Sequence, residues 1–267
     1  MASAIRLEVQ GVSWTMGALT ALAVAFIYIP PLYLLLLSFN PSLLPTVPAP
    51  SEASLKWYVE LAGEERMLRG LRQSVLAGLA TAAIATLIAL PAALAYLEFR
   101  RGRTLWFNFV LFSMFVPGVV QGLSLSVIFR VIGIKPSMLT IVAGHLLWAL
   151  PFAFIVILIS LSAIRRNLML AAQDLGASRW QTFRDVTFPL IRPGVIGALL
   201  FSFLLSFNEF SRAYYLVGAQ DTLPIYMFGV MNAGTSPTIY ALAGSTLVAS
   251  FLCIGLALLV ARHTRRR

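Results

Sequence analysis

Charge is scarce in this chain. Of its 267 residues only 11% are Asp, Glu, Lys or Arg, against about 25% in an average soluble domain, and acids are rarer still, with 10 carboxylates against 20 basic side chains. Lysine occurs twice, at Lys56 after leucine and at Lys135 after isoleucine. A Walker loop needs a lysine directly after glycine to reach nucleotide phosphates, so the chain cannot itself supply that ATP chemistry. The single cysteine, Cys253, falls inside an apolar run, which leaves neither an intramolecular disulfide nor a cysteine-rich metal site. His145 stands among scattered serines without the nucleophile–base or metal constellation that a membrane enzyme requires. No stretch has the composition of a separate soluble domain, and no internal repeat is evident.

What the chain has in abundance is apolar surface: 59% hydrophobic residues and a mean hydropathy of +0.86. This is the composition of an integral membrane protein, with the lipid bilayer as its principal environment. The net charge of +10 does not point to nucleic acid, because the basic residues sit in short clusters at the ends of apolar runs. That placement is topological.

A bilayer core of about 30 Å takes about 20 apolar helical residues to cross. Six stretches qualify, at approximately 16–39, 74–97, 105–130, 138–163, 194–217 and 239–261. The predicted fold is an all-α membrane protein of six transmembrane helices, with residues 1–15 as an N-terminal segment, 16–261 as one membrane domain and 262–267 as a basic tail. The first run is longer than the roughly 7–15 residues of a signal-peptide core and is read as a retained span without cleavage. With both termini cytoplasmic, the inside segments hold 13 of the 20 basic residues, among them Arg100, Arg101, Arg103, Arg165, Arg166 and the terminal Arg265–Arg267 cluster. The remaining 7 lie outside, four of them in a loop that also carries Glu52, Glu60, Glu64 and Glu65. Positive charge is retained inside, so both termini are expected in the cytoplasm.

Of the outer loops, the first (about 40–73) opens with Pro41, Pro45, Pro48 and Pro50, an extended connector, followed by an amphipathic stretch from Leu55 to Leu71 expected on the outer surface. In the second (about 218–238), the run Leu223 to Met231 is too short to span and reads as an interfacial or re-entrant helix. Pro91, Pro117-Gly118 and Pro151 interrupt the second, third and fourth spans. Such breaks survive in membranes where neighbours re-satisfy the freed carbonyls, and they border pathways or simply kink a helix for packing. Pro117, near mid-span, is the one singled out for a pathway role.

The cytoplasmic loop 164–193 is the polar exception in this chain. Its two halves, Leu168 to Leu175 and Arg179 to Val186, are each long enough for about two helical turns. Gly176 between them can take the left-handed conformation that ends one helix and redirects the chain, and Ser178 can cap the next. A short helix, a tight turn and a second short helix are predicted.

The spacing Ala171-Ala172, three residues, Gly176, nine residues, Val186, one residue, Phe188-Pro189 resembles the Glu-Ala-Ala loop of permease subunits of binding-protein-dependent ABC importers. Ala171, Ala172, Gly176 and Pro189 match that pattern, Val186 and Phe188 are apolar substitutions, and Leu170 stands where the family has glutamate. The resemblance runs from about Gln73 to Ala261, includes the outer run LPIYMFGVMNAGTSPTIYALAGSTLV, and within the superfamily is strongest to the second membrane subunit of spermidine/putrescine importers.

The resemblance implies a type I importer permease that forms half of a translocation pathway in a bacterial inner membrane, beside a second related permease, with an external solute-binding protein delivering solute. It implies a cytoplasmic ABC ATPase dimer, holding ATP and magnesium, that docks on the 170–189 loop through Ala171, Ala172, Asp174, Gly176, Ala177, Arg179 and Pro189. This chain would carry no cofactor, metal or catalytic residue. In the pathway, Asn208 and Glu209 match a position where polyamine permeases often carry acids. The alternative for Glu209 is a pair with Arg212, three residues on along the same helix face. His145 reads as a neutral histidine bonded to a neighbouring helix. A polyamine is the implied solute; thiosulfate, phosphonate, iron and opine permeases share much of the pattern. A secondary transporter, which needs several ion-coupling groups and paired interrupted helices, is the competing class.

Overall fold

The computed structural model of the protein describes residues 2–98, 101–234, 237–248 and 251. Arg100, Cys253, the last part of the expected sixth span and the basic tail lie outside the described residues. All regular structure among the described residues is helical: α1 Ala2–Leu37, α2 Lys56–Gly63, α3 Glu65–Glu98, α4 Arg103–Phe115, α5 Gly118–Val131, α6 Met138–Ser162, α7 Arg166–Asp174, α8 Arg179–Gln181, a π-helical segment Thr182–Thr187, α9 Phe188–Phe207, α10 Ala213–Leu216 and α11 Leu223–Asn232, followed by α12 Thr238–Val248. The chain forms two units, one of Met1–Glu65 with Gly229–Arg267 and one of Arg66–Phe228.

Four helical runs are long and apolar enough to cross a bilayer: Trp14–Leu37, Glu65–Glu98, Met138–Ser162 and the continuous Arg179–Phe207. The expected third span is not one straight helix. It is the pair α4 and α5, bent by 94° at Pro117, because Val116 and Pro117 take extended backbone angles and leave the helical path. The second span starts at Glu65, earlier than expected, and absorbs the end of the Leu55–Leu71 stretch, whose first part is α2. Pro91 and Pro151 lie inside continuous helices.

In the Arg66–Phe228 unit the core is built from small residues. α3 buries Gly70, Ser74, Ala77, Gly78, Thr81, Ala85, Ala89 and Ala93 along one face, at the three- and four-residue steps that keep a stripe on one side of a helix. Ala149, Ala153, Phe154, Ile157 and Leu161 of α6, with Ile191 and Ala198 of α9, complete the cluster. Lipid tails are as apolar as leucine, so burying more leucine would gain little; small side chains let backbones approach, and dispersion and polar contacts do the rest.

In the other unit, the end of α1 is fixed by polar contacts. Ser38 Oγ lies 2.6 Å from the Tyr58 hydroxyl, and the Trp57 indole N–H donates to the Asn40 carbonyl at 2.6 Å. Asn40 Nδ2 in turn donates to the Thr46 carbonyl, which pins the proline-rich connector. No described side chain of α1 from Trp14 to Leu36 is buried.

Candidate functional site

Two features stand out: the hairpin joining α7 to α8, and a chain of buried polar side chains where helices break. In the hairpin, Gly176 has φ 87°, the left-handed angle that glycine adopts without a Cβ penalty. The turn closes with the Gly176 N–H on the Gln173 carbonyl and the Ala177 N–H on the Ala172 carbonyl. Ser178 then caps α8: its Oγ accepts from the Gln181 N–H at 3.3 Å while Gln181 Oε1 accepts from the Ser178 N–H at 2.8 Å, a reciprocal capping box.

The hairpin exposes apolar side chains. Leu175 is 89% and Trp180 64% exposed on either side of Gly176, and Leu170 is 45% exposed. Ala171, Asp174 and Arg179 are also exposed, and Ala172 and Ala177 half-buried. Farther along, Arg184 and Asp185 form an exposed ion pair, Nε to Oδ1 at 2.7 Å. The hydrogen bond from Arg184, with its charge, holds the Asp185 carboxyl below the usual carboxylate range.

Beyond α8 the chain does not stop before the fifth span. Thr182–Thr187 continues as π-helix and runs into α9. The reason lies at Pro189, which has no N–H and whose ring crowds the carbonyl four residues back. The wider turn relieves this, with the Phe188 N–H reaching five residues back to the Phe183 carbonyl. The expected second helix of the loop and the expected fifth span are therefore one element, which ends at Phe207 and not at 217.

The polar chain begins at the α4–α5 bend. In an unbroken helix the Ser113 carbonyl would accept from the N–H of residue 117, which is proline and has none. Gln121, four residues farther on, supplies the missing donor: its Nε2 lies 2.6 Å from the Ser113 carbonyl oxygen. Gln121 Oε1 accepts from Arg212 Nε at 2.6 Å. Arg212 Nη1 donates to Glu209 Oε2 at 2.9 Å, and the Arg212 backbone N–H donates to Glu209 Oε1 at 2.9 Å. The guanidinium lies 4.9 Å from the Trp148 ring centre.

Charge and space both close around Arg212. The Glu209 and Arg212 side chains are only 8% and 5% exposed, so the pair is neutral and largely dry. Gly122 is required here, because a Cβ on it would lie 2.9 Å from the Arg212 Cα. One turn deeper, His145 Nδ1 sits 2.6 Å from Ser206 Oγ, which donates to Thr81 Oγ1 at 3.2 Å. Helices α3, α6 and α9 are thereby cross-linked by polar side chains.

Residues 85–266 match the model of the family described as "Binding-protein-dependent transport system inner membrane component". The chain belongs to this family. As a permease it is 29% identical over 248 residues to the spermidine/putrescine transport system permease protein PotC of Escherichia coli, covering 92% of this chain and 93% of that protein. It is 33% identical over 231 residues to the putrescine transport system permease protein PotI of the same species, covering 83% and 82%. Its fold is that of a chain in the crystal structure of a bacterial ABC transporter involved in the import of the acidic polysaccharide alginate, with a TM-score of 0.69 at 16% identity over 92% and 94% of the two chains.

The permease brings the hairpin residues together on one short segment, with Pro189 exposed at the start of α9. The residues suggested for the pathway are not gathered in the same way. Pro117 is exposed at the bend, and Asn208 is exposed at the end of α9 with its amide on the Leu204 carbonyl at 3.0 Å. Glu209 is buried and presents no free carboxylate, since both its oxygens are held by Arg212. His145 bonds a neighbouring helix, as its sequence context suggested. Gln121 and Trp148 escaped sequence reasoning. For Gln121 a signal existed: a lone amide four residues after a mid-span proline.

Proposed function

We propose that this permease forms half of the pathway of an ATP-driven importer for polyamines of the spermidine/putrescine kind, and that an ATPase dimer carrying ATP and magnesium docks on its α7–α8 hairpin from the cytoplasm. The observation that carries the solute class is the similarity to two polyamine permeases, PotC and PotI, over most of each chain. A second permease, related and different in sequence, completes the pathway, and an external binding protein delivers the solute.

The hairpin supports the docking reading physically. Leu175 and Trp180 project from a segment whose backbone is fixed by the Gly176 turn and the Ser178 cap. Exposed apolar side chains on a rigid scaffold beside small alanines suit a groove on a soluble partner. The acid-replacing Leu170 is partly exposed beside them, so the contact is apolar where the family's glutamate would be charged.

Recognition of a cation does not fall to a free Glu209 carboxylate, because the Arg212 pair cancels its charge. Asn208, at the end of α9, is the exposed polar side chain adjoining it. The test is reconstitution of this permease with its partner permease, ATPase and binding protein in proteoliposomes. ATP-dependent uptake of radiolabelled spermidine is expected, and Gly176→Arg abolishes it while leaving the protein in the membrane. Uptake driven by an ion gradient without ATP would sink the importer reading, and a binding protein that ignores every polyamine would sink the solute class.

A further inference from the structure

At the end of α6 opposite α7, the permease holds a cavity that transport does not account for. It has a volume of about 300 Å³ and lies between the end of α5, the α5–α6 turn and α10. Its lining includes Ser126, Phe129, Ile134, Pro136 and Leu216, together with Tyr215 and the exposed Arg130 and Lys135.

The interior is mostly apolar, with Ser126 and Thr140 its side-chain hydroxyls. Thr140, the hydroxyl at the floor, already donates to the Leu216 carbonyl at 2.8 Å. The rim is the reverse. Arg130 and Lys135 are exposed, and neither pairs with a carboxylate among the described residues. Between these cations the turn is apolar and outward-facing, with Val131 80% and Ile132 60% exposed. Apolar side chains that point outward, flanked by long cationic ones, suit the headgroup boundary of a bilayer, where the stems bury and the charges reach the phosphates.

Depth agrees. α6 has 25 residues from Met138 to Ser162, about 37 Å at helical rise, so its two ends fall at the two boundaries of a core about 30 Å thick. The cavity sits at the Met138 end.

We infer that this cavity is a binding site for an anionic glycerophospholipid, with one acyl chain entering between Phe129 and Leu216 and the phosphate held by Arg130 and Lys135. An apolar interior under a doubly cationic rim matches an amphiphile with a negative head. It suits a polar solute poorly, since most of the lining is apolar, and a zwitterionic lipid likewise, whose net charge gives the two cations little to hold. The inference needs only that the chain spans a bilayer, and it stands whether or not the solute is a polyamine.

The test is native mass spectrometry of the full chain, delipidated in detergent and titrated with phosphatidylglycerol, phosphatidylcholine, inorganic phosphate and poly-glutamate. Wild type is expected to retain one phosphatidylglycerol in preference to phosphatidylcholine. Each cation beside an anionic head is worth about fivefold, so Arg130→Gln with Lys135→Gln should weaken that retention by roughly thirtyfold. Ser126→Phe, which fills the cavity and leaves both cations in place, should weaken it as well. Circular dichroism checks that the variants stay folded, and Arg130 and Lys135 are both exposed. Equal retention of the two lipids, or phosphatidylglycerol retention unchanged by either variant, overturns the site. Inorganic phosphate protecting as well as lipid, or poly-glutamate binding where phosphatidylglycerol does not, overturns the lipid in favour of a free anion or an acidic protein.

Discussion

Removing one member of the Glu209–Arg212 pair should be more damaging than removing both. The side chains are 8% and 5% exposed, and a buried ion left without its partner costs about 3–5 kcal/mol, whereas replacing both with neutral side chains of similar size is often close to neutral. Arg212→Met strands the Glu209 carboxylate and also deprives Gln121 Oε1 of its donor, so a loss of about 4 kcal/mol is expected. Glu209→Gln is milder, about 3 kcal/mol, because Arg212 keeps Gln121 and the Trp148 face. The double variant should lose about 2 kcal/mol, chiefly from the orphaned Gln121. The singles then overshoot the double by several kcal/mol, and even 3 kcal/mol of coupling is more than a hundredfold in the folding equilibrium. Reversible unfolding of the three variants by SDS titration in mixed micelles measures the cycle directly. Interhelical polar contacts in bilayers average about 0.6 kcal/mol, and a coupling of that size or less would refute the view that this pair locks the bend of α4 and α5 to the end of α9.

Other outcomes follow from the same contacts. Gly122→Val drives a side chain into the Arg212 backbone and should cost about 2–3 kcal/mol by the same assay, from overpacking. Gly176→Ala meets no atom within 4 Å, so only the left-handed angle is penalised; a loss of about 1 kcal/mol is expected, read as faster proteolysis of the hairpin with the membrane helices intact. Ser178→Ala removes the α8 cap and should likewise cost about 1 kcal/mol, visible as increased amide exchange from Arg179 to Gln181. Asp185, whose carboxyl is lowered by its hydrogen bond to Arg184, stabilises the charged form: the favourable contact is present above the unfolded pKa and is lost as pH falls through the lower folded one. Arg184→Gln should therefore move the Asp185 titration, followed by carbon-13 resonance, upward toward the ordinary carboxylate value.

What the residues disclose on their own depends on whether a local rule decides. Gly176 and Ser178 were legible because a positive φ and an N-cap are local demands with few residue solutions. The span Met138–Ser162 was legible because apolar length alone defines it. Continuity from Arg179 to Phe207 was not: Pro189 reads as a boundary, and only the neighbouring π-helical turn shows how a helix accommodates it. Nor does any residue near Phe207 forbid further helix. There the chain turns because Arg212 must meet Gln121 and Trp148, residues 91 and 64 positions away in sequence, a demand that no window along the chain contains. Leu55–Leu71 is divided between α2 and α3 at Glu64, where the backbone turns extended at φ −78° and ψ 98°.

The run from Arg179 to Phe207 has 29 residues, about 44 Å of nearly rigid rod. Its Arg179 end belongs to the hairpin; its Phe207 end abuts Asn208 and the Glu209–Arg212 pair. A tilt of about 5° imposed at one end sweeps the other through about 4 Å over that length, more than the reach of any hydrogen bond in the buried chain. Amplification of this kind needs no signal relayed residue by residue: leverage alone converts a small push at one end of the rod into a broken or remade lock at the other.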